Sequence, residues 1–284
     1  QHRGEAYPRL LAMITKGYAN TPYGQIHFRT TGKLTGDQAP IVMLHQTASS
    51  SAMWEKVITH IDGALPTIAF DTPGFGNSFD PKGYLSIGEL SEVIVHACND
   101  LGIDAFHLLG HHTGVCLAAE IAVAHPRRAQ SVMMIGPVPL TAEEREEFRT
   151  HFSTPFSPDE FGEYLTNTWN YLQDLGGTEA MPLDLMHREV LDTVRAHQGR
   201  FLTYSAVWDQ DFTVLFEQID APLLLMCAEK DVLWPFFERA CDMRTDAQSA
   251  TVGGSNFEPD QDPAGVTKAI LTFLNGAASD KQET

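Results

Sequence analysis

One histidine occupies an unusual place. His112 lies two residues from a glycine on either side, in Leu108-Leu109-Gly110-His111-His112-Thr113-Gly114-Val115-Cys116. The spacing matches a Gly-x-nucleophile-x-Gly elbow, where small flanking residues let the backbone turn sharply and push one side chain out at the top of a sheet. Serine is the usual occupant of such a turn. An imidazole titrates near neutrality, so it can take or give a proton unaided, and it reaches further than a hydroxyl. The residue type therefore points to general-base work on water or on a substrate proton, with covalent attack by the ring as the other route.

The elements that must hold this turn follow from the hydrophobic pattern. Residues 106–109 form a short apolar run and residues 115–124 a run of helix formers, which predicts strand, turn, helix. Further buried strands are predicted at 41–44, 66–70, 131–135, 222–227 and 249–252, and helices at 49–61, 86–101, 236–243 and 264–274. Ser86 with Glu89 three residues on reads as a capping box. Residues 23–31 alternate as a strand of an antiparallel hairpin, and residues 1–20 read as an arm on the body. Strands alternating with helices predict an α/β fold: a mostly parallel, twisted sheet with helices on both faces.

The alternation breaks between residues 139 and 210. Residues 143–147 are predicted to open a charged helix, two more are predicted at 161–175 and 183–196, and Phe148, Phe152, Phe156, Phe161, Tyr164, Trp169, Tyr171, Phe201, Tyr204 and Trp208 crowd this stretch. A helical cap (139–210) inserted into a core formed by 1–138 and 211–284 is expected to lie as a lid over the carboxyl ends of the strands, where open α/β sheets bind ligands.

Bulk composition narrows the function class. The chain has 284 residues, 43% of them hydrophobic, with 37 acidic against 19 basic side chains and a net charge of −18. That balance favours neither nucleic acid nor an anionic membrane, and no basic cluster offsets it. The four scattered cysteines form no C-x-x-C pair and read as free thiols. Without a long apolar run or a signal pattern, a cytoplasmic protein is the expectation, with homodimerisation left open. Among the 12 histidines the H-x-x-x-H spacing falls once, at His107 and His111, where a strand rather than a helix is predicted, and no H-x-H pairing occurs. Neighbours on a strand point to opposite faces, so His111 and His112 are not expected to share a metal. Gly74-Phe75-Gly76 lacks the lysine of a phosphate loop. No metal and no cofactor are expected.

The chain resembles the α/β-hydrolase fold superfamily from about residue 21 to 276. Leu44-His45-Gln46-Thr47 looks like the loop that supplies one oxyanion-hole N–H, and Asp71-Thr72-Pro73-Gly74-Phe75-Gly76-Asn77-Ser78 matches the family's Asp-x-Pro-Gly-x-Gly-x-Ser turn. The elbow is the third landmark, and Glu229-Lys230-Asp231 stands where the family carries its acid. The family's catalytic histidine belongs seven residues before the proline of the final helix, and Asn256 holds that position ahead of Pro263. The resemblance thus implies a divergent member: His112 at the nucleophile position, Asn256 at the histidine position, Asp231 at the acid.

What it implies for chemistry is an oxyanion hole without an acyl-serine step. Thr47 and Thr113 would supply the oxyanion N–H groups, and either Asp231 or Asn256 would orient His112. His45, Gln46, Trp169, Tyr171, Trp208 and Phe257 are assigned to the substrate pocket, His45 more as a support of its loop, and His111 is read as structural. The expected activity is on a small, fairly apolar carbonyl compound (ester, lactone or diketone-like), by hydrolysis or by a lyase, decarboxylase, isomerase or cyclase reaction. The alternative is a ligand-binding protein that kept the pocket and lost turnover.

Overall fold

The computed structural model describes residues 13–175 and 181–280. An eight-stranded sheet has the order β1-β2-β4-β3-β5-β6-β7-β8. Its strands are β1 (Thr15–Asn20), β2 (Gln25–Thr31), β3 (Ile41–Leu44), β4 (Thr67–Phe70), β5 (Phe106–His111), β6 (Ala129–Ile135), β7 (Leu223–Ala228) and β8 (Gln248–Val252). β1 and β2 run antiparallel at one edge, and β4 through β8 are parallel.

The continuous apolar runs have a simple cause, since both faces of the sheet are covered. Val42, Leu44, Leu108, Val132 and Leu225 point into one core, against α2 (Ile87–Asp100) and α3 (Thr113–Ala124). Ile41, Met43, Leu109, Met133 and Leu224 point into the other, against α1 (Glu55–Ile61) and α11 (Pro263–Asp280). Alternate residues of each strand thus serve opposite layers, so the central strands are mostly apolar, and the few polar side chains among them pair with one another, as His107 Nδ1 does with Ser131 Oγ at 2.8 Å. α2 opens with the expected capping box: Ser86 Oγ accepts from Glu89 N–H at 3.2 Å, and Glu89 Oε2 from Ser86 N–H at 2.8 Å.

The turn after β4 is a hub of polar contacts. Asp71 is fully buried and accepts from Ser51 N–H (2.7 Å) and Asn77 N–H (2.8 Å), with His27 Nδ1 at 2.8 Å. Burial alone would push this carboxyl up, and the hydrogen bonds from His27, Ser51 and Asn77 reverse the direction and hold it well below the usual carboxylate range.

Between β6 and β7 lie α4 (Ala142–Phe152), α5 (Glu163–Leu175), α6 (Leu183–Arg195), α7 (His197–Asp209) and α8 (Phe212–Glu217). The last two were not foreseen, because α7 mixes polar and apolar residues all round and α8 is only six residues long. The short α9 (Trp234–Met243) follows β7, and α10 (Glu258–Gln261) interrupts the expected loop after β8. The first-arm expectation needs correcting at one point. Residues 15–20 pair with β2 as an edge strand, legible only weakly because just Ala19 of the six is buried. Residues 1–12 lie outside the described residues. Among the described residues no helix is long and apolar enough to cross a membrane.

Candidate active site

His112 sits between β5 and α3 with φ 47° and ψ −108°, a strained backbone for a side chain with a Cβ. The flanking glycines make the turn possible. A Cβ on Gly110 would lie 2.3 Å from the Gly114 carbonyl oxygen, and one on Gly114 would lie 2.0 Å from that of Leu44. The elbow is therefore packed backbone to backbone, which only glycine allows.

The strain aims the ring at the end of β7. His112 Nε2 lies 2.7 Å from Asp231 Oδ2, and Asp231 is buried in the turn after that strand. The Leu233 N–H donates to the other Asp231 oxygen at 2.6 Å. Burial pushes the Asp231 carboxyl up. The charge and hydrogen bond of His112, a hydrogen bond with Glu258 and the Leu233 amide outweigh it and bring the group below its ordinary value. A carboxylate bound to Nε2 fixes the N–H there, and Nδ1 has no hydrogen-bond partner among the described residues.

Asn256 does not share in this contact. Its Oδ1 accepts from Val232 N–H at 2.9 Å, and its Nδ2 donates to the Leu175 carbonyl at 2.6 Å. It joins the turn that carries Asp231 to the end of α5. Of the two candidate orienting groups, Asp231 is the one that meets His112.

A cavity opens over the elbow, about 660 Å³ with its mouth included. Thr47, Thr113, Gln46, His112, Tyr171, Trp208, Asn256 and Phe257 all line it, so most of the expected residues converge. Thr113 lies in the first turn of α3, where helix geometry leaves N–H groups without internal partners. Two expected wall residues are elsewhere. Trp169 is 37% exposed on α5 and lies outside the lining. His45 is buried beneath the loop: Nδ1 donates to the Gln46 carbonyl at 2.7 Å, and Nε2 accepts from Thr72 N–H at 2.9 Å. Burial lowers the pKa of this ring, which suits the neutral bridge.

Much of the remaining wall comes from the helices between β6 and β7: Phe148, Phe152, Leu172, Tyr204, Glu189 and Thr193. Tyr204 O–H donates to the Thr47 carbonyl at 3.0 Å, holding α7 against the loop of the expected oxyanion hole. Glu189 is buried and accepts from Ser49 Oγ at 2.6 Å. Its neighbour Asp192 accepts from Ser50 Oγ at 2.8 Å. The sequence did carry a signal for Glu189, since it falls on the face of α6 that buries Leu185, Met186 and Thr193.

His111 and His112 are not on opposite faces. Their rings stack at 4.3 Å and 24°, because His112 is in the elbow rather than in the strand and alternation stops before it. With Asp231 and Glu258 they form a group whose ligand atoms lie within 4.8 Å of one another, which corrects the expectation that these histidines could not share a site. Among the described residues, these four are the group that could hold a cation. As placed, His111 Nε2 is 2.9 Å from Glu258 Oε2, and the His112–Asp231 distance is shorter still. Two donors on one tetrahedral ion with bonds of about 2.1 Å stand about 3.4 Å apart, so the spacing is that of shared protons.

Comparison with known proteins agrees with this architecture. Among curated relatives, a 1-acylglycerol-3-phosphate O-acyltransferase ABHD5 of Pongo abelii is 26% identical over 148 residues, 48% of this chain and 42% of that protein. The chain therefore spans less than half the length of that relative. A fluoroacetate dehalogenase of Burkholderia sp is 23% identical over 90% of this chain and 93% of its own. The crystal structure of an enol-lactonase from Burkholderia xenovorans LB400 superposes with a TM-score of 0.71 at 20% identity, covering 91% of this chain and 100% of the other. A family model described as alpha/beta hydrolase fold matches residues 39–235, more than half of the chain. With the eight-stranded sheet, the glycine-built elbow and the acid at the end of β7 all in their places, the chain belongs to the alpha/beta hydrolase fold family.

Proposed function

We propose that this protein is an enzyme that acts on a small, fairly apolar carbonyl compound (an ester, lactone or diketone) with His112 as general base and no serine nucleophile. One observation carries the reading: His112 bonds the buried Asp231 carboxylate at 2.7 Å and lines an aromatic cavity that Thr47 and Thr113 also border. Asp231 takes the Nε2 proton in a hydrogen bond, which leaves Nδ1 as the nitrogen that accepts a proton.

In the hydrolytic course, Nδ1 removes a proton from water as the oxygen adds to the carbonyl carbon. The oxyanion accepts hydrogen bonds from the Thr47 and Thr113 amides, the bond to the leaving oxygen breaks, and that oxygen takes the proton back from the imidazolium. With a carbon acid in place of water, the same donors hold an enolate, which opens lyase, isomerase or cyclase outcomes. Residues 139–210 serve as the cap that covers this chemistry. The relatives named as a dehalogenase and an enol-lactonase support small-molecule work on this fold.

The test is a panel of activated esters, lactones and 1,3-diketones with wild-type protein and H112A. Turnover is expected in the wild type, reduced about 10²- to 10⁴-fold in H112A and untouched by serine-directed phosphonates. Activity that survives H112A, or that a phosphonate abolishes, overturns the base mechanism. Ligand-induced thermal stabilisation without turnover favours a binding protein instead.

A further inference from the structure

Glu258 plays no part in the mechanism above, yet its side chain is wholly buried against two of that mechanism's neighbours. It stands two residues after Asn256, at the start of α10. Its Oε2 meets His111 Nε2 at 2.9 Å, its Oε1 accepts from Ala228 N–H at 3.3 Å, and its carboxyl lies within 4.8 Å of that of Asp231. Two carboxylates cannot both be ionised in buried contact unless a cation compensates them. The groups facing the pair are His111 and His112 from β5 and the elbow, and the Cys227 thiol from β7, which burial, Asp231 and Glu258 push up and keep uncharged. On its own element, Asp260 is engaged with Arg188 at 2.6 Å.

His111 cannot supply that charge. Burial and the adjacent His112 lower its pKa well below the ordinary value, so the ring is neutral. Its Nδ1 is buried without a partner. The tautomer with hydrogen on Nε2 leaves only an acceptor unpaired there, so His111 donates to Glu258. Asp231 is the acid that faces donors, accepting from His112 Nε2 and from the Leu233 amide, so the negative charge is better placed there. The proton shared between the two acids then belongs to Glu258, in line with the upward push on that group from burial and from Asp231.

We propose that Glu258 is a positioning residue, held as the neutral acid, whose O–H donates to Asp231 and keeps that carboxylate's negative charge and aim on His112. The arrangement runs His111 to Glu258 to Asp231, and from the other side His112 to Asp231. Asp231 receives donors from three directions and cannot rotate away from the imidazole. This proposal rests on the general-base reading for its kinetic part, and its protonation part stands without it.

The experiment has an arm for each part. Difference infrared spectroscopy at pH 8, wild type minus E258Q, is expected to show the carbonyl stretch of one protonated carboxyl with its deuterium shift. Failure of the general-base reading would leave that band in place. E258L is expected to lose about 10- to 100-fold in kcat/KM, the worth of one hydrogen bond to a charged group, with the acid limb of its pH profile moved to lower pH because a carboxylate no longer held on the ring stabilises the imidazolium less. E258Q keeps both a donor and an acceptor and is expected to recover all but about threefold of that loss, with the acid limb in its wild-type place. Absence of the band, or E258Q falling as far as E258L, overturns the proposal. Thermal melts of both variants separate unfolding from loss of positioning.

Discussion

Gly136, the residue after β6, has φ +66°, and a Cβ placed there would lie 2.4 Å from His112 Cδ2 and 2.8 Å from Nε2. Carbon atoms in ordinary contact stand about 3.5 Å apart, so in G136A the imidazole must retreat by roughly 1 Å. His111, stacked at 4.3 Å, stands on one side of that ring, and the Leu233 side chain also crowds the added methyl at 3.2 Å. A retreat of that size stretches the 2.7 Å bond to Asp231 past hydrogen-bonding range. Misplacing a catalytic group by about 1 Å costs on the order of 10²-fold, and that is the expected loss in kcat/KM. Left-handed backbone on alanine adds about 1–2 kcal/mol of strain, a fall of a few degrees in Tm. The assay is kcat/KM on the best substrate of the panel for wild type, G136A, H112A and the double variant. If the effect travels through His112, G136A changes nothing further in the H112A background. Full activity in G136A, or an equal loss in both backgrounds, refutes the claim that Gly136 exists to seat the imidazole.

Asp231 and Asn256 should separate cleanly. D231N is expected to lose about 10³- to 10⁴-fold in kcat with little change in Tm, the scale seen when a triad acid becomes an amide. N256A should lower stability by about 1–3 kcal/mol, through the unpaired Val232 N–H and Leu175 carbonyl, and leave the pH profile's shape alone. Melts and pH profiles of the two variants decide this. Asp192 gives a stability prediction. Burial and then the nearby Glu189 raise its carboxyl to about 7. A folded-state value above the unfolded one means that the native state binds the extra proton, so the contribution of Asp192 to stability is fully present below about pH 4 and is lost as pH rises towards 7. The full effect is bounded by about 4 kcal/mol. D192N should flatten the Tm against pH curve between about pH 4 and 7, and an unchanged slope would remove Asp192 as its source.

The sheet was legible because its physics is local. Strands buried on both faces are apolar at nearly every position, so residues 41–44 and 222–227 declared themselves as continuous runs and 106–109 as a run broken only by His107. The glycine spacing around His112 was legible for a similar reason, since close backbone approach excludes every other residue. The edge strand β1 and helices α7, α8 and α10 were not, because short or half-exposed elements need little periodicity.

The site divides along the same line. Sequence alone determined which residue occupies the elbow, that an acid follows β7, and that Asn256 stands seven residues before Pro263. It left open which of Asp231 and Asn256 meets His112, and it gave His111 the wrong face. Tertiary structure decided both. The positive φ at His112 ends the strand alternation and stacks the two rings, while the Val232 amide and the Leu175 carbonyl hold both ends of the Asn256 amide. Glu258 left no trace in the sequence, because it joins the site only when α10 packs under the elbow. A residue's chemistry is written in its type, but its protonation and its partner depend on what burial brings against it from elements far along the chain.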